Sequence, residues 1–117
     1  MIKLLLGALA GCLLLANASA APVEDFIGTW KLERTTVPNY IVIKQEGAHL
    51  VALRYTRNVL TSKIVERRFP ASYAHGDVSI ASGDTVIEAR SVNDAATVTM
   101  LAEAYKKISA STAPPTS

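Results

Sequence analysis

Cysteine is almost absent from this chain: Cys12 is the only one, and it stands inside the N-terminal apolar run. A fold stapled by internal disulfides is therefore excluded, and so are thiol chemistry and a cysteine-built metal site beyond that run. Histidine is nearly as scarce. His49 and His75 are the only two, and their spacing fits no metal-binding pattern. His75 falls in a turn and His49 at a strand start, positions where solvation alone accounts for an imidazole. Serine is common, but Ser79, Ser82 and Ser91 lack the flanking glycines of a nucleophile elbow. Glu24-Asp25 sits at what reads as a flexible start, and Glu66 is flanked by Arg67 and Arg68. No catalytic residue, metal ligand or cofactor is nominated from this inventory, and an enzyme is not expected.

An excess of one charge is missing too. Twelve Lys and Arg face ten Asp and Glu, which is far from the basic footprint of a nucleic-acid binder. The aromatic residues near the basic ones, Tyr55, Phe69 and Tyr73, are too few for a base-stacking platform. No clear amphipathic helix of the kind that lies on lipid is visible either.

The one long apolar run, Leu4 to Leu15, is too short to span a bilayer, which takes about 20 predominantly apolar residues. Lys3 precedes it and Ala18-Ser19-Ala20 comes after it, the layout of a secretory signal peptide over residues 1–20. Cleavage after Ala20 would deliver a periplasmic or secreted chain with no transmembrane anchor. Leu9-Ala10-Gly11-Cys12 resembles a bacterial lipobox, and acylation at Cys12 is the alternative. Against it, Leu13-Leu14-Leu15-Ala16 continues the apolar core where a polar tether is expected.

What remains is long enough for one domain, over residues 21–109, ending in a tail at 110–117 in which Pro114-Pro115 interrupts any apolar pattern. The domain reads as short segments of period-two alternation. Phe26, Trp30 and Leu32 share one side of the first segment. Tyr40-Ile41-Val42-Ile43 is apolar on both faces. In the next segment Val51, Leu53 and Tyr55 oppose Leu50, Ala52 and Arg54. Lys63 to Phe69 alternates again, and Pro70 is expected to end it or to mark an edge. Further strands are expected at Val78–Ala81, Thr85–Val92 and Thr97–Ala102, with residues 102–108 open between strand and helix. Glu46-Gly47, Arg57-Asn58, His75-Gly76-Asp77, Ser82-Gly83-Asp84 and Asn93-Asp94 supply the turns. Seven or eight such strands at even spacing predict an all-β fold, a small antiparallel up-and-down meander closed or half-closed into a barrel. Closure removes the exposed edges that invite aggregation.

Gly28-Thr29-Trp30, on the first strand, resembles the Gly-X-Trp motif of the lipocalin and wider calycin group. The resemblance implies a small barrel in which Trp30 closes one end of a cavity. It also implies an arginine near the last strand to accompany the tryptophan, where this chain offers Lys106 and Lys107, with Arg90 one strand earlier.

Two surfaces are expected on this domain. The first is a ligand wall of Trp30, Val42, Val51, Leu53 and Tyr55, taking a small apolar or amphipathic molecule in the barrel mouth of a non-catalytic binding protein. The second is a basic cluster of Arg54, Arg57, Lys63, Arg67 and Arg68, opposed locally only by Glu66. It suits an envelope protein-interaction or inhibitor module meeting an anionic partner. Arg54 and Arg57 fall on opposite pleat faces of their strand.

Overall fold

Alternation along the chain becomes pleating. Eight strands pair in sequence order and close on themselves, β1-β2-β3-β4-β5-β6-β7-β8, every ladder antiparallel. The computed structural model describes residues 20–34 and 38–115. The expected signal peptide, its Cys12 and most of its cleavage motif lie outside the described residues. A short helix, α1 (Val23–Phe26), precedes β1 (Gly28–Leu32), β2 (Asn39–Glu46), β3 (His49–Arg57) and β4 (Ile64–Ala74). Then come β5 (Asp77–Ile80), β6 (Ile87–Val92), β7 (Ala95–Met100) and β8 (Glu103–Ser109). Among the described residues, no helix is long and apolar enough to cross a membrane.

One pleat face of each strand meets the others inside the barrel. Trp30, Leu32, Ile41, Ile43, Leu50, Ala52, Phe69, Val78, Ile87, Ala89, Val98, Met100 and Tyr105 make one buried cluster there. The interior is filled by side chains, as expected for a barrel of eight short strands. Because the strands run alternately up and down, the β2–β3, β4–β5 and β6–β7 turns share one end with α1. The β1–β2, β3–β4, β5–β6 and β7–β8 connections share the other.

The chain between Val23 and Phe26 is a plug, where sequence reading expected a flexible start and then a strand beginning at Phe26. Phe26 is fully buried and its ring meets that of Tyr73, centroids 6.1 Å apart. Just before it, Ala21 is also fully buried. Its N–H donates to Ser91 Oγ at 2.7 Å and its carbonyl accepts from the Tyr73 hydroxyl at 2.5 Å.

Pro70 does not end β4, which continues to Ala74. Its carbonyl accepts the Ala81 N–H at 2.9 Å, so its ring nitrogen faces the β5 side, where the ladder stops at Ala71↔Ile80. No N–H is needed at that position, and proline is tolerated there. Residues 103–109 are strand, joined to β7 by Leu101 and Ala102, both in the left-handed region (φ 51° and 67°). Asn93 and Asp94 adopt the same conformation at the β6–β7 turn (φ 50° and 69°), as a two-residue hairpin demands. Residues 110–115 carry no regular structure, although the Thr29 hydroxyl donates to the Ser111 carbonyl at 2.8 Å.

Candidate functional site

Gly28 starts β1 at φ +141°, and a Cβ there would lie 2.4 Å from the Ser109 carbonyl oxygen and 2.8 Å from Lys107 Cε. Only glycine fits both the backbone angle and the space. Two residues on, Trp30 is 4% exposed and its indole N–H donates to the Phe26 carbonyl at 2.9 Å. Lys107 is its register partner on β8. The Lys107 ammonium reaches the same plug, donating to the Asp25 carbonyl at 3.0 Å. A lysine thus stands beside the tryptophan where the motif resemblance implied an arginine.

Beside this cluster the barrel wall parts. The β7–β8 ladder runs from Met100↔Glu103 to Val98↔Tyr105 and goes no further. Below that point Ala95, Ala96 and Thr97 pair only with β6, while Lys106 and Lys107 pair only with β1. The gap is an open groove of about 590 Å³, with Trp30, Tyr105, Ala95 and Ala96 against it and Asp25, Glu33, Asp94, Lys106 and Lys107 around it. That size falls in the range of small-molecule sites. The Tyr105 hydroxyl donates to Asn39 Oδ1 at 2.8 Å, and burial raises its pKa, so it remains an uncharged donor. Asp25, Glu33 and Asp94 outnumber Lys106 and Lys107, so the rim is slightly acidic on balance.

The sequence pattern names Trp30 for the wall of a barrel mouth, not for this groove, and does not name Tyr105, Ala95 or Ala96. The usable signal was the alternation Glu103, Tyr105, Lys107, which puts Tyr105 on the inner face beside the tryptophan once residues 103–109 are read as a strand.

Val42, Val51, Leu53 and Tyr55, expected on an inner wall with Trp30, point the other way. Trp30 pairs with Ile41, so Ile41 goes inward and Val42 outward. The four form a second buried cluster with Tyr40, on the outer face of β2 and β3, with Ile64 packed against it. The physical reason is that both faces of these strands are apolar, so alternation fixed which residues share a face but not which face is inside.

The basic cluster divides as well. Arg54 and Arg67 are register partners on inner-face positions near the end of the barrel opposite α1. Arg54 Nε is buried without a hydrogen-bond partner. Arg67 lies over the Phe69 ring, 5.3 Å from its centroid. Arg57 faces outward and donates to the Ser62 carbonyl at 2.9 Å, next to Lys63 in the β3–β4 loop. Arg68 is drawn toward the α1 end by Glu46, at 2.5 Å. Four of the five therefore gather at one end, without forming one face. His49 and His75 are exposed at the α1 end, in or beside turns.

No family model, curated protein or solved structure matches this chain.

Proposed function

We propose that the chain is an exported, non-catalytic binding protein that takes a small amphipathic ligand in the groove between β7 and β8. The observation that carries this reading is the parting of those strands beside Trp30 and Tyr105. It leaves Ala95 and Ala96 open beside the edges of two nearly buried aromatic side chains in an open groove of about 590 Å³. The ligand's apolar body lies along Ala95, Ala96 and the two aromatic residues. Its polar end, neutral or cationic, meets Asp94 and Asp25. A lipocalin-like ancestry is compatible with this, supported by the eight-stranded closed meander and by Gly28-Thr29-Trp30. The ligand position differs from a barrel mouth because side chains fill the interior.

Trp30 is the only tryptophan and makes the test direct. N-phenyl-1-naphthylamine, a neutral apolar fluorophore, is titrated while energy transfer from Trp30 is recorded. Saturable transfer is expected, weakened about tenfold by Ala96→Leu, which fills the groove from a partly buried strand position. Transfer that is absent, or equal in the variant, overturns the reading.

A further inference from the structure

The two ends of the barrel differ in chemistry. At the α1 end the turns are tipped by Gly47-Ala48, His75-Gly76 and Asn93-Asp94. At the other end the β3–β4, β5–β6 and β7–β8 connections carry exposed aliphatic side chains: Val59 is 81% exposed, Leu60 91%, Val86 48% and Leu101 63%. Leu101 N–H donates to the Val86 carbonyl at 2.9 Å, which ties two of these tips together.

The β3–β4 loop, residues 58–63, is built to hold its apolar tip outward. Asn58 Oδ1 accepts the N–H groups of Leu60 and Thr61 at 2.9 and 3.1 Å. The Asn58 N–H donates to the Lys63 carbonyl, and the Asn58 carbonyl accepts the Ser62 N–H, both at 2.8 Å. Much of the loop's backbone polarity is thereby satisfied within the loop. Val59 and Leu60 stand clear of the barrel.

On the strands and loop that carry this tip lie Arg57, Lys63 and Arg67, none ion-paired among the described residues, while Arg54 is turned into the barrel. The acids of the same end are placed elsewhere or engaged. Glu66 accepts the Tyr55 hydroxyl, Glu103 pairs with Arg34, and Glu88 pairs with Arg90. Glu33 and Asp84 belong to the β1–β2 and β5–β6 connections. Glu66 keeps its negative charge when it accepts from a phenol, so Arg57, Lys63 and Arg67 leave the β3–β4 tip positive on balance.

We infer that this tip docks reversibly on an anionic lipid bilayer, with Val59 and Leu60 entering the interface and Arg57, Lys63 and Arg67 set against the headgroup phosphates. Two adjacent aliphatic side chains on a convex tip offer far less area than the roughly 1,200 Å² of a stable protein interface. A bilayer asks for no complementary surface, and it rewards buried apolar area combined with cationic charge. The role that amphipathic helices usually fill falls here to a hairpin loop.

The test is co-sedimentation of the chain, as recovered from the cell envelope, with phosphatidylcholine vesicles containing or lacking phosphatidylglycerol. All variants share the same N-terminus, so any contribution from residues 1–20 cancels between them. Binding is expected only with phosphatidylglycerol and should weaken as salt rises. Replacing Val59 and Leu60 by serine should lower the partition about tenfold. Arg57→Gln with Lys63→Gln should lower it about 25-fold, from about fivefold per basic residue. Val92→Ser, at an exposed apolar position near the α1 end (51%), should leave it unchanged. Circular dichroism confirms that each variant folds. Equal sedimentation of tip variants and parent, indifference to phosphatidylglycerol, or no sedimentation at all overturns the inference. So does a lipid-free complex with an acidic protein that the tip variants lose. Energy transfer from Trp30 to the naphthylamine reads the groove separately, so the two proposals fail independently.

Discussion

Trp30 and Lys107 face each other across the β1–β8 ladder and direct their polar groups at the same four-residue helix. The indole N–H takes the carbonyl of Phe26, and the ammonium takes that of Asp25. The carbonyls at a helix C-terminus have no partner inside the helix and carry partial negative charge. A cation and a neutral donor therefore fasten the plug that closes this end of the barrel. Lys107→Gln keeps much of the stem but removes the charge, and should cost about 1 kcal/mol of stability. Thermal unfolding with and without Trp30→Phe checks it. Because the two donors hold one helix, the double variant should lose less than the sum of the singles.

Gly28 permits that arrangement. An alanine there needs both an unfavourable backbone angle and room already taken by the Ser109 carbonyl. Gly28→Ala is expected to cost about 2–4 kcal/mol. Gly47 offers the contrast: its φ is +61°, yet nothing lies within 4 Å of an added Cβ. Gly47→Ala should cost only about 1 kcal/mol, from backbone strain alone. Urea denaturation of the pair separates steric exclusion from conformational strain, and equal losses would contradict the assignment.

Most of the barrel was legible because its strands alternate. Residues that share a face, such as Val51, Leu53 and Tyr55, were grouped correctly from spacing alone. Their direction was not legible, since Leu50 and Ala52 opposite them are equally apolar and only closure decides which set goes inside. Leu101-Ala102 carries no turn chemistry, and its left-handed backbone is imposed by the pairing of Val98 with Tyr105. The groove was hidden for a related reason. It exists because two ladders diverge, and divergence is a property of register between distant segments. Burial of Arg54 Nε was illegible as well, because a basic residue beside Arg57, Lys63, Arg67 and Arg68 reads as part of a solvent-facing cluster.

Tyr55 sets the alkaline limit of the fold. Burial, with the hydrogen bond to Glu66 at 2.7 Å adding to it, pushes its pKa up to about 12. Below about pH 10 the phenol is protonated in folded and unfolded chains alike, and stability does not depend on it. Between about pH 10 and 12 the unfolded chain releases the proton while the folded chain retains it. Stability must therefore fall across that interval and level off above it. Tyr105 is raised in the same direction by burial and adds to the fall. Tyr55→Phe should reduce the loss by on the order of 1–2 kcal/mol after allowance for solvent screening. Urea unfolding at several pH values, with phenolate absorbance at about 295 nm as a second probe, checks both sign and interval. An identical loss in the variant would assign it elsewhere.

Arg54 stands on an inner-face position at a cost to the barrel, although its side chain also meets the Tyr105 hydroxyl. It stands directly across from Arg67, and its Nε is buried without an acceptor. Like charges directly opposed on a sheet destabilise it, and an unsatisfied buried donor costs about 1–3 kcal/mol. Arg54→Met retains an unbranched side chain to fill the same space while removing charge and donor together. It should therefore raise stability by about 1 kcal/mol, a few degrees in Tm for a domain of this size. The same substitution should leave partition onto phosphatidylglycerol vesicles unchanged, because this side chain is turned into the barrel and away from the tip. If Arg54→Met is instead less stable, the guanidinium holds the barrel together through the Tyr105 hydroxyl beside it, and its place is structural.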